Sequence, residues 1–414
     1  MNNKKSALKP GLSPALKSAV KMSVALAAAF ALPVAAQAQT SVTVYGKLYP
    51  DIAHVNVSGA TAAGAAVSTL AAPATGAGNI SATSMDSPNS RLGFRGTEDL
   101  GGGLSAIFQM EMGFNSDTGA ASSNSALFSR NTFLGLSGKF GTIRLGNMDT
   151  VFKDIGDQMT FLGINSGNFM ATSNVLAKPA FGSNQASSFH LRRGNSFYYT
   201  SPTFGGFTGL FDWSPSEAAG NAASGVISTG VKYQNGPLYA ALAYEVHKDM
   251  FGASLNIPTA IANSAADGQT SKDDSLRATL QYTFPGDWKV EADVAQARYN
   301  ESGGAIGHFS DYKHNTWNLG LEKPIGAFTV VAAYGQSAAG SCSLVGGATC
   351  DTSGLAARMF NLGASYSLSK RTMLFAVYSY MGNDASGVQN NWINGKISAG
   401  QDVSTVAMGI SHSF

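Results

Sequence analysis

Charge is scarce in this chain: Asp, Glu, Lys and Arg make up 13% of its 414 residues, about half the usual share. The small excess of positive charge is local. Lys4, Lys5, Lys9, Lys17 and Lys21 all precede residue 38, and without these five the 27 basic residues fall to 22 against 25 acidic ones, a net charge of −3. A basic surface for nucleic acid is thereby not supported. Cysteine is nearly absent, with only Cys342 and Cys350; two thiolates without a suitably spaced histidine cannot make a structural zinc site. Beyond residue 38 no apolar run approaches the roughly 20 residues of a spanning helix. The six histidines lie in separate elements, and H-E-x-x-H, G-x-S-x-G and P-loop patterns are missing. No cofactor, metal or enzymatic activity is expected on these grounds, although a barrel hydrolase could assemble Ser, His and acid from distant strands.

What is present begins with an export signal. The five lysines form a basic n-region, residues 22–36 are apolar, and Ala36-Gln37-Ala38 is an A-x-A cleavage site before Gln39. The predicted organisation is a cleaved secretory signal over 1–38, removed between Ala38 and Gln39 after Sec-type export, and a single domain over 39–414. An oxidising destination predicts a disulfide between Cys342 and Cys350 that clamps one loop.

The domain itself alternates. Val42, Val44, Leu48 and Ile52 share a face over 41–57; Leu104, Ala106, Phe108, Met110, Met112 and Phe114 form six consecutive alternations; Leu276, Ala278, Leu280, Tyr282 and Phe284 repeat the pattern. Short turns such as Glu98-Asp99-Leu100-Gly101-Gly102, Pro285-Gly286-Asp287 and Ser369-Lys370-Arg371 alternate with long loops, the first of which is expected to run to about Pro88. In lipid every backbone polar group must be paired internally, so a β protein spans only as a closed barrel. Aromatic residues at the ends of the apolar faces, including Tyr282, Phe284, Trp288, Tyr378, Tyr380 and Phe414, suit a membrane interface better than an exported β-sandwich. The predicted fold is all-β: a 16-stranded antiparallel transmembrane β-barrel in the outer membrane, contacting its lipid.

One stretch breaks the rhythm. Between the strands at 142–146 and 196–200 lie residues 149–191, without sustained alternation; a structureless loop of about forty residues is expected in a compact domain only where it is functional. It is read as a third long loop folded into the lumen, narrowing a water-filled channel.

The chain resembles the Gram-negative trimeric general porins, particularly their beta-proteobacterial branch. The markers are Val42-Thr43-Val44-Tyr45-Gly46, Ser90-Arg91-Leu92-Gly93-Phe94-Arg95-Gly96, Gly141-Thr142-Ile143-Arg144-Leu145-Gly146, Phe204-Gly205-Gly206-Phe207 and the ending Gly409-Ile410-Ser411-His412-Ser413-Phe414. The resemblance implies sixteen strands, a homotrimer, and passive diffusion of ions and small hydrophilic solutes. It also implies that Phe414 is part of the signal read by the barrel-insertion machinery. The loop segment Phe152-Lys153-Asp154-Ile155-Gly156-Asp157 is only loosely like the family's acidic loop tip, and Tyr198 stands where related chains carry an inward arginine.

Selection in such a pore follows its width and the charge on its walls. Arg91, Arg95, Arg144, Arg192 and Arg277 fall on predicted inner faces, with Lys232, Lys289 and Lys313 as weaker candidates, and Asp149, Asp154 and Asp157 on the loop would oppose them. The bland alternative is that each arginine pairs with an inward acid such as Glu111 or Asp293 and braces the wall. The preferred ion stays open at this point. A role for the long loops in adhesion is a compatible alternative, and Gly46, Gly96 and Gly135 are read as small outward residues that would let barrels approach.

Overall fold

The computed structural model describes residues 41–123, 126–160, 162, 169–217 and 224–414. The expected signal segment 1–38 and its Ala38/Gln39 junction lie outside them. The alternation over the described chain builds sixteen antiparallel strands. Strand β1 comprises Ser41–Leu48 and Asp51–Ser58, interrupted at Tyr49-Pro50, and β2 comprises Ile80–Asp86 and Arg91–Gly101. The series continues with β3 (Leu104–Gly113), β4 (Thr132–Gly138), β5 (Gly141–Asp149), β6 (Arg192–Thr200), β7 (Phe207–Pro215) and β8 (Gly225–Asn235). It is completed by β9 (Leu238–Lys248), β10 (Thr270–Phe284), β11 (Trp288–Ser302), β12 (Phe309–Ile325), β13 (Phe328–Ser337), β14 (Ala357–Ser367), β15 (Thr372–Asn383) and β16 (Asp402–Ser413).

Each strand pairs with the next, and β16 returns to β1 through the register Asp402↔Ser58 to Gly409↔Asp51 and Lys47↔Ser413. Closure leaves no unpaired edge, the condition for residence in lipid. The seam is finished by the last residue: Gly46 N donates to Phe414 O at 3.0 Å and Phe414 N to Gly46 O at 3.1 Å. The Phe414 ring lies so close over Gly46 that a Cβ there would sit 2.3 Å from it, so only glycine fits.

On β10 the outward Leu276, Leu280, Tyr282 and Phe284 are exposed, while the inward Ser275, Arg277 and Thr279 are buried. Eight residues separate Leu276 from Phe284; at about 3.4 Å each and a tilt of about 40° this gives roughly 21 Å of apolar height, close to the band of a bacterial barrel.

Four details depart from the sequence reading. The first long loop ends at residue 79, because Ile80–Asp86 pairs with Asp51–Val57; its Ser, Ala and Thr residues lack polarity contrast. The Cys342–Cys350 disulfide is present, and its loop carries a short extra strand, Ser341–Leu344, laid against the extension of β12. Lys313 points outward, beside the buried inward Tyr312 and His314, because β12 continues past Trp317 with polar residues on both faces. Gly135 lies on the inner face, between the outward Leu134 and Leu136. Gly46 and Gly96 do face out, but the rings of Phe414 and Phe108 cover them.

Candidate functional site: the inner loop and the wall that faces it

The inward positions of β13–β16 and β1 are unexpectedly apolar. Val55, Val57, Val331, Met359, Phe375, Val377, Met381 and Val403 are buried there, and they are covered by the third long loop. Met159, Leu162, Phe169 and Met170 from the loop pack with Tyr49, Val331, Phe375 and Val377, and Val175 packs with Val55, Met359 and Val403. Further along, Val151, Phe152, Ile155, Phe181 and Phe189 join Tyr198, Tyr299 and Tyr312. Burying such side chains is worth about 1.5–3 kcal/mol each, which gives the loop a fixed seat against the barrel's inner side chains.

Polar contacts set its course. A short helix, α1 (Val151–Gly156), follows β5, and Phe152 N donates to Ser228 Oγ at 2.9 Å while Tyr239 donates to Ile155 O at 2.6 Å. A second short helix, α2 (Ser173–Leu176), ends at Leu176, whose carbonyl accepts from Thr316 at 3.2 Å. Tyr299 donates to Ser187 O at 2.6 Å, Asn361 to Met170 O at 3.0 Å and Ser379 to Phe169 O at 2.9 Å. These partners belong to β8, β9, β11, β12, β14 and β15, so the loop is held from widely separated parts of the barrel's inner face.

The tip is fastened by Arg277, which is 1% exposed. Its Nη1 donates to Asp157 Oδ1 at 2.9 Å, and its Nη2 to Gly156 O at 2.6 Å and to Asp293 Oδ1 at 2.9 Å. A Cβ on residue 156 would lie 2.4 Å from the guanidinium, so glycine is required for this approach. The other carboxylate oxygen of Asp157 meets His190 Nε2. Burial works against ionising Asp157, but the His190 ring and the Arg277 guanidinium hold its carboxyl at about 2. Arg277 and Asp157, expected to line the pore, instead brace the loop.

Two more predicted charges are paired at the loop's root. Asp149 bonds Arg192 Nη2 at 2.8 Å and Lys153 Nζ at 2.8 Å. Elsewhere on the wall, Glu111 serves two arginines, with Arg130 Nε at 2.5 Å and Arg91 Nε at 3.8 Å, and also accepts from Tyr45 at 2.9 Å. One carboxylate therefore faces two guanidinium groups.

Three of the eight predicted charges make no ion pair among the described residues. Arg95 is exposed and stacks over Tyr45 at 5.0 Å. Arg144 lies between Phe133 at 5.3 Å and Tyr198 at 4.2 Å. Asp154, exposed on α1, accepts a hydrogen bond from Tyr198 at 2.7 Å. Tyr198 thus links a wall cation to a loop anion, with its ring under Arg144 and its hydroxyl on Asp154. Sequence reasoning passes over Arg130, Arg193, His190 and Lys47. Lys47 is recoverable from strand phase, since it alternates with the outward Val44 and Leu48 and sits opposite Arg91.

A closed sixteen-stranded barrel with an apolar exterior and a charged interior crossed by one of its own loops belongs to the class of outer-membrane β-barrels. This chain is a member of the Gram-negative porin family, whose model matches residues 23–386. It is 30% identical over 393 residues to outer membrane porin protein 32 of Delftia acidovorans, covering 92% of this chain and 96% of the relative. It is also 30% identical over 372 residues to an outer membrane porin protein of Bordetella pertussis, covering 85% of this chain and 91% of the relative. The solved anion-selective porin from Comamonas acidovorans superposes with a TM-score of 0.66 at 26% identity, covering 91% of this chain and all of that one. These relatives are beta-proteobacterial and place the protein in the Gram-negative outer membrane.

Proposed function

We propose that the barrel is a water-filled channel for passive diffusion of ions and small hydrophilic solutes, with a preference for anions set by lumen arginines opposite the inner loop. The observation that carries this reading is the charge left over after pairing. Among the described residues Arg95 and Arg144 lack a carboxylate partner, Arg91 and Arg130 share one, and Asp154 is the loop acid that makes no ion pair. At physiological salt the Debye length is about 8 Å, so an ion in a narrow lumen is not screened from these walls. The braced pairs Arg277–Asp157 and Arg192–Asp149 add rigidity with little net field.

Assembly as a homotrimer, insertion through the barrel-insertion machinery with Phe414 as part of the signal, and removal of residues 1–38 at the Ala38/Gln39 junction complete the reading. The decisive measurement is the reversal potential of purified protein in a planar bilayer under a salt gradient. Stepwise conductance with an anion-directed potential is expected, and Arg95→Glu with Arg144→Glu should move the potential toward cations. An unmoved potential would place both arginines away from the controlling section.

A further inference from the structure

At the long-loop end of the barrel, a cavity of about 820 Å³ lies between the loop joining β3 to β4 and the two limbs of the inner loop. Its basic lining consists of Lys153, Lys178, His190, Arg192 and Arg193, and no carboxylate lines it among the described residues. Most of these charges are already satisfied. Lys153 and Arg192 share Asp149, and His190 is bonded to Asp157.

Lys178 and Arg193 are not balanced in this way. The Lys178 ammonium has a neutral partner, the Asn174 side-chain oxygen at 2.7 Å, and burial pushes it down to about 8 with no acid close enough to offset the effect. The Arg193 side chain makes no hydrogen bond or ion pair among the described residues, and its Nε is buried without a partner. The acid that acts on it, Asp212, is sealed in the wall and bonded by Ser196. On the other side of Lys178 a second cavity of about 330 Å³ is lined by Lys396 from the last loop, again without a carboxylate among the described residues. Both side chains are half-buried, and a partly desolvated cation without a counter-ion is unfavourable. An anion arriving from solution would relieve both at once.

The geometry points to a binding site for a small hydroxylated dianion of the phosphomonoester class, held between Lys178 and Arg193 before it enters the channel. Two unbalanced cations match the near-double charge of a phosphomonoester at neutral pH. The guanidinium fork suits phosphoryl oxygens. Ser183, Asn184, Gln185 and Ser188 line the same space and offer partners to hydroxyl groups. The volume falls in the range of small-molecule sites, about 300–1,000 Å³. This inference rests on the open-channel reading.

The test is the single-channel KCl current of the purified protein with glucose 6-phosphate titrated on the long-loop side. A saturable fall in current is expected, with no effect of glucose. Lys178→Gln and Arg193→Gln should each raise the half-blocking concentration about tenfold, the loss of one charge-assisted contact, and Arg193→Lys should restore part of it. A strictly linear response, equal block by glucose, or unshifted variants would overturn the site, and equal block by succinate would overturn the phosphoryl assignment. Absence of KCl steps before any ligand is added would instead refute the channel itself.

Discussion

Replacing Arg277 by Leu isolates what holds the inner loop. The side chain makes four hydrogen bonds: two to Asp293 at 2.9 and 3.2 Å, one to Asp157 at 2.9 Å and one to Gly156 O at 2.6 Å. Removing it leaves two carboxylates and a carbonyl buried without their cation, and breaking a buried pair in this way costs about 3–5 kcal/mol. The neighbouring tip contacts, Tyr239 to Ile155 O and Phe152 N to Ser228, contribute roughly 0.5–1.5 kcal/mol each. The buried side chains of Val151, Phe152 and Ile155 hold the root of the tip, so the segment at Gly156 and Asp157 should loosen from the wall while those contacts and the apolar seat of Met159, Leu162, Phe169, Met170 and Val175 stay in place. In planar bilayers the variant should show larger and noisier unitary currents than the parent, and Arg277→Lys should fall between them because an ammonium keeps the charge without the planar fork. Parental conductance and noise in a correctly inserted Leu variant would refute the view that this buried cation anchors the loop.

Three further outcomes follow from the same geometry. The Asp157 carboxyl stands at about 2 in the folded protein against an ordinary 3.8. Its stabilising contribution is therefore complete above the ordinary value and lost as pH falls through the folded one; current noise should rise as the pH falls from about 4 toward about 2. Deleting residues 150–191 should raise single-channel conductance if the barrel still inserts, and unchanged conductance would remove the loop from the ion path. Detergent-solubilised protein should migrate as a trimer that heating dissociates, and a monomer before heating would refute that assembly.

The strands are legible because lipid imposes a one-sided rule. An outward residue within the apolar band must be apolar, so Leu276, Leu280 and Phe284 declare their face whatever lies inside. Where lipid is absent the rule lapses. Asp311, Lys313 and Asn315 face outward beyond Trp317, and there polarity stops marking the lumen, which is why Lys313 is misplaced by its charge although its phase with Trp317 puts it outside. Ile80–Asp86 is hidden for a related reason: its Ser, Ala and Thr side chains carry little contrast, and its strand character comes from the register with Asp51–Val57.

The interior obeys no such rule, because its partner is another part of the same chain. Inward Met359, Met381 and Val403 look like errors of alternation until Val175 of the loop is laid on them. Arg277 and Arg95 occupy the same kind of position in their strands, yet one is enclosed by Asp157, Asp293 and a glycine carbonyl, and the other meets a tyrosine ring. The difference lies in where the described residues of the third long loop pack against the inward side chains, which no local pattern encodes. In the channel proposed above, selectivity is therefore set by two layers. Strand phase decides which charges point inward, and the path of one loop decides which of them remain available to a passing ion.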